Sequence, residues 1–190
     1  LGPEMKSTGE VMGISSDFGI AFAKSQQAAG YHIPTSGTVF VSVNDFDKPG
    51  MLPHARDMHA MGLHILATRG TADYLREHGV EAETVNKVNE GRPNVVDHIK
   101  DGRIEIVFNT PLGGESFYDD SAIRKSAVLH NVLVVTTLTA TAATVQAIRA
   151  LRERTTDVVS LQEIHAASEA VPGSVPSGTE GAGGAAESKP

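Results

Sequence analysis

The segment Thr68-Arg69-Gly70-Thr71 has the residue types of an anion-binding turn. A glycine between two threonines, where a predicted strand passes into a predicted helix, places hydroxyl and backbone N–H groups at a helix N-terminus. Those donors and the helix dipole suit a phosphate group. A simpler interpretation is that Thr71 only caps the helix, because serine and threonine are common caps. Taken alone, the turn favours the cap.

Further polar side chains follow the other predicted strands. Ser42 lies near the end of one strand and Lys48 after it, Lys87 follows a weaker strand, and Asn109 and Thr110 follow another. Ligands of open parallel sheets bind beyond the carboxyl ends of the strands, so we expect these groups to meet at one edge. Together they favour an anion pocket. The alternatives are a solvated loop around Lys87 and a turn at Asn109-Thr110.

The elements that must position these groups alternate between strand and helix. Runs rich in β-branched residues predict strands at 38–43, 63–67, 83–85, 104–108 and 132–136. Helical spacing is found at 18–29, 56–61, 72–78, 95–99, 122–129 and 140–151. This order is typical of a parallel sheet with helices on both faces. The sequence therefore predicts one open α/β sandwich.

Composition excludes several classes of protein. The 16 Lys and Arg against 23 Asp and Glu give a net charge of −7, which argues against a nucleic-acid or anionic-membrane binder. The absence of cysteine excludes disulfides, thiolate nucleophiles and cysteine-based zinc sites. No HExxH, GxSxG, GxGxxG or GxxxxGK[ST] motif occurs, and no metal site is expected. No run is apolar enough for a membrane span or a signal peptide, so we expect a cytoplasmic location.

Seven stretches together resemble the carboxy-terminal end of the carbamoyl-phosphate synthase large subunit. They are EMKSTGEVMG (4–13), FAKSQ (22–26), ATRGTADYL (67–75), VNKVNEGRPNVVDHIKDG (85–102), FNTPLG (108–113), IRKSAV (123–128) and VTTLTATAATVQAI (135–148). The resemblance runs from Glu4 to about His165. It implies a three-layer α/β sandwich of the methylglyoxal synthase type, with a Rossmann-like parallel sheet of five strands.

The resemblance also implies the organisation of the chain. Residues 1–16 would be the end of an ATP-grasp domain or a linker, and 17–168 the allosteric domain. We expect 169–190 to be a disordered tail, since PGSVPSGTEGAGGAAESKP (172–190) has one large apolar residue and no aromatic. Because the chain begins at Leu1 and not at Met, we expect it to be a piece of a longer protein.

In this family the domain is noncatalytic and binds nucleotide monophosphates such as UMP and IMP. Matched motif by motif, the effector contacts would be Ser42, Lys48, Thr68, Gly70, Thr71, Lys87, Asn109 and Thr110. A second effector site, for ornithine, would include Thr136. Two positions depart from the family pattern: Pro111 replaces a hydroxyl residue of some relatives, and Val134 replaces a tyrosine used for ornithine.

The implied partners belong to the whole enzyme, which makes carbamoyl phosphate for pyrimidine and arginine synthesis. They are the preceding ATP-grasp domains, a glutaminase small subunit and further copies of this domain. No cofactor is expected in this segment, whereas the parent enzyme would use ATP with Mg or Mn, and K.

The alternative is an enzyme of the methylglyoxal synthase type, acting on dihydroxyacetone phosphate. That reaction needs a carboxylate base. In the glycine-rich motif of that enzyme the base follows paired glycines, and the corresponding residue here is Arg92. Arginine does not accept a proton at neutral pH, so the binding domain is favoured.

Overall fold

The structure, a computed structural model, describes residues 10–110 and 117–169 of the chain. The chain divides into two compact units, the first ending at Thr156 and the second beginning at Asp157. The predictions for residues 1–9, for Pro111 and for the tail from 170 onward lie outside the described residues. The site discussed below belongs entirely to the first unit.

Strands and helices alternate along the described chain, as the sequence predicts. The strands are β1 (Thr38–Val43), β2 (His64–Thr68), β3 (Glu83–Val85), β4 (Ile106–Thr110) and β5 (Leu133–Val135). The helices of the first unit are α1 (Phe18–Ala28), α2 (Lys48–Ala60), α3 (Arg69–Glu77), α4 (Val95–Lys100), α5 (Phe117–Leu129) and α6 (Leu138–Glu153). The second unit, described as far as residue 169, contains α7 (Leu161–Glu169).

The five strands form one sheet in the order β3-β2-β1-β4-β5, and every pair of neighbours is parallel. The chain builds outward from β1 in one direction as far as β3 and then returns to place β4 on the other side of β1. The strand order therefore reverses between β1 and β4. In open parallel sheets this switch point is where a crevice forms at the carboxyl ends of the strands.

Both faces of the sheet are covered by helices. Val39 and Val41 face one hydrophobic cluster, which includes side chains of α1, α2, α3 and α6. Phe40 and Val107 face the other cluster, with side chains of α4 and α5. Successive strand residues point to opposite faces, so two buried faces require apolar residues at nearly every position. The predicted three-layer α/β sandwich is confirmed.

Four helices begin earlier than the sequence indicates, α3 and α6 by two or three residues and α2 and α5 by five or more. Helix α2 starts at Lys48 and not at Arg56, because Pro49 lies in its first turn, where the missing N–H costs no helical hydrogen bond. Helix α5 starts at Phe117 and not at Ala122. The differences at α2 and α5 matter for function, since they move Lys48 and an acidic pair from predicted loops to helix starts.

Two strands end later than predicted. Strand β2 continues to Thr68 and β4 continues to Thr110. The alternative that Asn109 and Thr110 only form a turn is therefore wrong. Backbone pairing with β1 holds them in fixed positions at the edge of the sheet. No helix within the described residues combines the length and apolar character that a membrane span requires.

Candidate functional site

Three polar side chains stand in one row at the carboxyl edge of the sheet. Ser42 on β1 is the register partner of Asn109 on β4, and its Oγ lies 3.3 Å from the Oγ1 of Thr68 on β2. Thr68 and Asn109 are buried. Residues at the same level of neighbouring parallel strands point to the same face. Two hydroxyl groups and one amide are thus presented side by side where the strand order reverses.

The hydroxyl of Thr71 joins α3 to the end of β1. Its Oγ1 accepts a hydrogen bond from the N–H of Val43 at 3.3 Å and lies 3.4 Å from the carbonyl oxygen of the same residue. The interpretation of Thr71 as the cap is wrong, because Thr68 occupies the N-cap position. Within the described residues the Thr68 side chain makes no capping hydrogen bond. The first N–H groups of α3 are therefore left to solvent or a ligand.

The ammonium group of Lys48 lies over this first turn of α3. Its Nζ is 3.5 Å from the position that a Cβ would take on Gly70, so a side chain there would cover the turn and touch the ammonium. The Nζ also lies 2.6 Å from Oδ1 of Asp45 and 6.0 Å from the ring centre of Tyr74. The hydrogen bond and the charge of Lys48 hold the pKa of Asp45 below its usual value.

Asn44 fastens the loop between β1 and α2 to the end of β4. Its Nδ2 donates to the carbonyl oxygen of Thr110 at 3.1 Å, and its backbone N–H donates to the same oxygen at 3.3 Å. Its Oδ1 accepts from the N–H groups of Phe46 at 2.9 Å and of Asp47 at 3.1 Å. This turn fixes the path of the loop that leads to Lys48.

The loop that carries Lys87 is anchored at both ends. It leaves β3 at Asn86, which forms a parallel bridge with Asn94 at the start of α4. Asn94 and Asp97 form a capping box in which Asp97 Oδ2 accepts from the Asn94 N–H at 3.0 Å. The N–H of Lys87 itself donates to Oε2 of Glu90 at 2.9 Å. These bonds hold Lys87 at the cavity described below.

The carboxylate of Asp119 lies where burial disfavours its negative charge. Burial raises its pKa above the usual value, and the charges of Asp120 and Glu90 raise it further, whereas the positive charge of Lys87 and a hydrogen bond from the backbone of Asn89 to the carboxylate oppose this. Its Oδ1 is buried, and none of the described residues donates a hydrogen bond to it. A buried acceptor without a partner costs free energy until a donor arrives. A ligand hydroxyl group would supply such a donor.

Sequence reasoning missed Asp119 and Asp120. Asp120 is 9% exposed, and its Oδ1 accepts a hydrogen bond from Nδ2 of Asn109 at 3.0 Å. Both acids lie in the first turn of α5, where the helix dipole favours negative charge. That pattern was the available signal: two adjacent acids precede the predicted helix that follows a strand at the switch point.

One cavity of about 570 Å³ brings the predicted residues together. All eight predicted effector contacts line it: Ser42, Lys48, Thr68, Gly70, Thr71, Lys87, Asn109 and Thr110. It is also lined by Val43, Asn44, Asp45, Phe46, Asp119 and Asp120. A cavity of this size fits a small organic molecule and is larger than a phosphate ion needs. Binding by these residues stays a prediction.

Two other residues singled out in the sequence lie elsewhere. Thr136 is exposed just beyond β5 and is not among the described residues that line the cavity. The side chain of Arg92 is 77% exposed, and its Nη2 lies 3.4 Å from Oδ1 of Asp97. Across residues 10–110 and 117–169, no group of three or more His, Asp or Glu side chains is arranged to hold a metal ion.

Comparison with known proteins shows which family and which relatives this chain is similar to. The MGS-like domain family matches residues 50–136. The chain is 51% identical over 166 residues to the carbamoyl phosphate synthase large chain of Acidobacterium capsulatum, which covers 87% of this chain and 15% of the relative. It is 50% identical over 166 residues to the C-terminal section of the large chain of Methanopyrus kandleri, covering 87% of this chain and 31% of that one.

A third relative, the large chain of Gemmatimonas aurantiaca, is 49% identical over 181 residues, covering 95% of this chain and 16% of the relative. The chain thus spans less than a third of the length of each of these relatives. The chain contains an MGS-like domain and matches a segment of carbamoyl phosphate synthase large chains over most of its length, which confirms the resemblance drawn from its motifs.

Proposed function

We propose that this chain is the regulatory domain of a carbamoyl phosphate synthase large chain and that its cavity binds a nucleoside monophosphate. One observation carries the proposal: eight residues from five separate segments line a single cavity at the switch point of the sheet. Those eight residues supply hydroxyls, an amide and two ammonium groups, and the carboxylates of Asp45, Asp119 and Asp120 line the same cavity. This set is suited to an anion that also carries a sugar.

The phosphate group would bind between Lys48 and the first turn of α3. The ammonium lies over Gly70, and the N–H groups of that turn point out of the helix along its dipole. Lys87 supplies a second positive charge. Two cations and a helix N-terminus offset the charge of a phosphate dianion better than any single group.

The sugar would extend towards β4 and α5. Carboxylates repel a phosphate but accept hydrogen bonds from hydroxyl groups, and Asp119 Oδ1 has no donor among the described residues. Thr110 lies beside them on the same edge of the cavity. A cavity that holds both ammonium groups and carboxylates therefore favours a phosphorylated sugar, whose hydroxyl groups can donate to the carboxylates, over inorganic phosphate.

In the longer chain this pocket would act as a sensor. An effector shifts an equilibrium only by binding one arrangement of the enzyme more tightly than another, and such couplings amount to about 1–3 kcal/mol. The effector would favour one arrangement of this domain against the catalytic part. ATP, metal ions and the glutaminase subunit would bind to other parts of that enzyme.

Calorimetric titration of this chain with UMP and with IMP tests the binding. The Lys48→Ala and Lys87→Ala variants should each weaken nucleotide binding by about 10- to 150-fold, the range expected for a lost charge-assisted hydrogen bond. Lys100→Ala, which removes the same charge from an exposed position at the end of α4, should bind as the unchanged chain does. Failure of the unchanged chain to bind either nucleotide would refute the proposal.

The regulatory role is tested in the full-length enzyme. Lys87→Ala should leave carbamoyl phosphate synthesis without effector unchanged and should shift its response to roughly 10- to 150-fold higher concentrations of the nucleotide that binds. A response at the same nucleotide concentration as in the unchanged enzyme would place the sensor elsewhere.

One observation favours a second candidate, a lyase acting on dihydroxyacetone phosphate. Asp119 is a carboxylate with a raised pKa in the cavity that also holds Lys48 and Lys87, as a general base acting on a phosphate ester requires. Incubation of the chain with dihydroxyacetone phosphate, followed by assay of methylglyoxal, tests this. Formation that is lost in Asp119→Asn would support the lyase, and no formation above the uncatalysed rate would exclude it.

A further inference from the structure

The rim of the cavity carries one large aromatic side chain, Phe46. Its side chain contributes to the lining, yet the residue is 83% exposed. Single exposed apolar residues are common and mean little alone. Phe46 differs because of its position: it is two residues before Lys48, on the same short loop that brings the ammonium to α3.

The loop presents this ring from a fixed backbone. The N–H of Phe46 donates to Oδ1 of Asn44 at 2.9 Å, and Asn44 is itself bonded to Thr110 on β4. Nδ2 of Asn44 also donates to Oδ2 of Asp47 at 2.6 Å, so the residues on both sides of Phe46 are tied to β4 through one side chain. The backbone that carries the ring is therefore fixed, so the loop need not rearrange for the ring to pack against a ligand.

Few apolar side chains line the cavity elsewhere in the part of the chain that the structure describes. Val43 and Phe46 are the only apolar side chains among the residues that line the cavity in the described structure. Val43 is 9% exposed, so most of its surface is already covered by the protein. The hydroxyl, amide, ammonium and carboxylate groups bind the phosphate and the sugar. A nucleobase needs an aromatic or apolar face as well.

We infer that Phe46 stacks on the base of the bound ligand and so selects phosphate esters that carry an aromatic ring. The inference rests on the proposed function, because it assigns the remaining part of the same ligand. Stacking of a base on an aromatic side chain contributes about 1–3 kcal/mol, which corresponds to roughly 5- to 150-fold in affinity. Phe46 is then the residue that separates a nucleotide from a plain sugar phosphate.

Titration with a matched pair of ligands measures this selection. UMP and IMP carry a base, whereas ribose 5-phosphate has the same phosphate and sugar without one. Phe46→Ala should weaken binding of the nucleotides by roughly 5- to 150-fold and change binding of ribose 5-phosphate by less than about 2-fold. Phe46→Tyr, which keeps the ring, should restore nucleotide binding.

A fluorescence measurement reports the contact directly. The chain has no tryptophan, so Phe46→Trp introduces a single fluorophore at the rim. Nucleotides should quench its emission at saturation, and ribose 5-phosphate should not. Phe18→Trp is the matched control: Phe18 is also exposed, at 60%, but lies on α1 and does not line this cavity. Its emission should not respond to either ligand.

The outcomes separate this inference from the proposed function. Nucleotide binding that is equal in the unchanged chain and in Phe46→Ala, without quenching in Phe46→Trp, would overturn the inference and leave the proposed function standing. Equal loss of nucleotide and ribose 5-phosphate binding in Phe46→Ala would also overturn it, because the ring would then support the loop and not the base. If the unchanged chain binds neither nucleotide, the proposed function fails and the inference fails with it.

Discussion

Nδ2 of Asn109 donates a hydrogen bond to Oδ1 of Asp120 across 3.0 Å, and both residues are buried. This bond joins the end of β4 to the first turn of α5 at the inner wall of the cavity. It also gives the Asp120 carboxylate the donor that a buried charge requires. Ser42 pairs with Asn109 in the sheet, so the same bond sets the position of α5 relative to β1.

Replacing the amide by an acid at this place should make stability depend on pH. In Asn109→Asp two carboxylates would share the position, and one of them would have to hold a proton in the folded state. When folding raises the pKa of a carboxyl group, its bound proton stabilises the folded state at low pH, and this stabilisation is lost as the pH rises. We expect a loss of about 3–5 kcal/mol in the free energy of unfolding at pH 7 and a much smaller loss near pH 4.

Urea denaturation at several pH values measures this effect. Gln146→Glu is the control, because it makes the same amide-to-acid change at an exposed position on α6. Its stability should follow that of the unchanged chain. A loss in Asn109→Asp that is the same at every pH would mean that Asp120 does not meet the new carboxylate.

The ion pair between Lys48 and Asp45 should compete with the ligand. Asp45 is exposed, and its Oδ1 lies 2.6 Å from the Nζ that we assign to the phosphate. In Asp45→Asn the ammonium loses this partner, so UMP or IMP should bind about 2- to 5-fold more tightly at low salt, with a smaller gain at high salt. Asp101→Asn removes the same charge from an exposed position at the end of α4 and should leave affinity unchanged. A weaker complex in Asp45→Asn would show that the ion pair positions Lys48 for the ligand.

Thr71 should contribute to stability through its hydroxyl and not through capping. The hydroxyl is buried and contacts the N–H and the carbonyl oxygen of Val43. Thr71→Val keeps the shape and removes the hydroxyl from both contacts, at a cost of about 1–3 kcal/mol in the free energy of unfolding. Thr71→Ser keeps the hydroxyl and should lose clearly less. Urea denaturation of the two variants checks the order, and equal losses would show that the methyl group is what matters.

Much of the fold and site follows from local patterns. The β-branched runs identify the strands, and in a parallel sheet the polar groups that follow them must share an edge, which is why Thr68 and Asn109 could be placed together in advance. Lys87 could be included for the same reason. These predictions need only the order of strands and helices along the chain and the rule that ligands bind at the carboxyl ends of parallel strands.

The remaining features depend on contacts between distant parts of the chain. Asn44 and Thr110 are 66 residues apart, and nothing near either residue indicates their hydrogen bond. The sequence around Pro49 and Pro53 indicates a loop, because proline inside a helix removes a hydrogen bond, yet packing of Met51, Ala55 and Met58 against the sheet sustains α2 there. Tertiary packing overrides local preference at this point.

Asp119 should make the empty protein less stable as the pH rises. Burial raises the pKa of this carboxyl above its ordinary value of 3.8, so the folded state binds its proton more tightly than the unfolded state does. The resulting stabilisation is complete below pH 3.8 and is lost as the pH rises through the folded-state pKa. Asp119→Asn has no such proton to lose. Relative to the unchanged chain, the free energy of unfolding of this variant should therefore increase from acid to neutral pH.

The Asp119→Asn variant also tests whether the carboxylate binds the sugar of the ligand. Urea denaturation of the unchanged chain and of Asp119→Asn between about pH 3 and 8 gives the difference without ligand, and parallel curves would contradict the expected pH dependence. At neutral pH with saturating UMP, the unchanged chain should gain more stability than the variant. A ribose hydroxyl would then donate to Oδ1, which has no donor among the described residues, and the charged carboxylate accepts that bond better than an amide. Equal gains would mean that Asp119 does not touch the sugar, and the sugar would then have to bind at Asn109 and Thr110 instead.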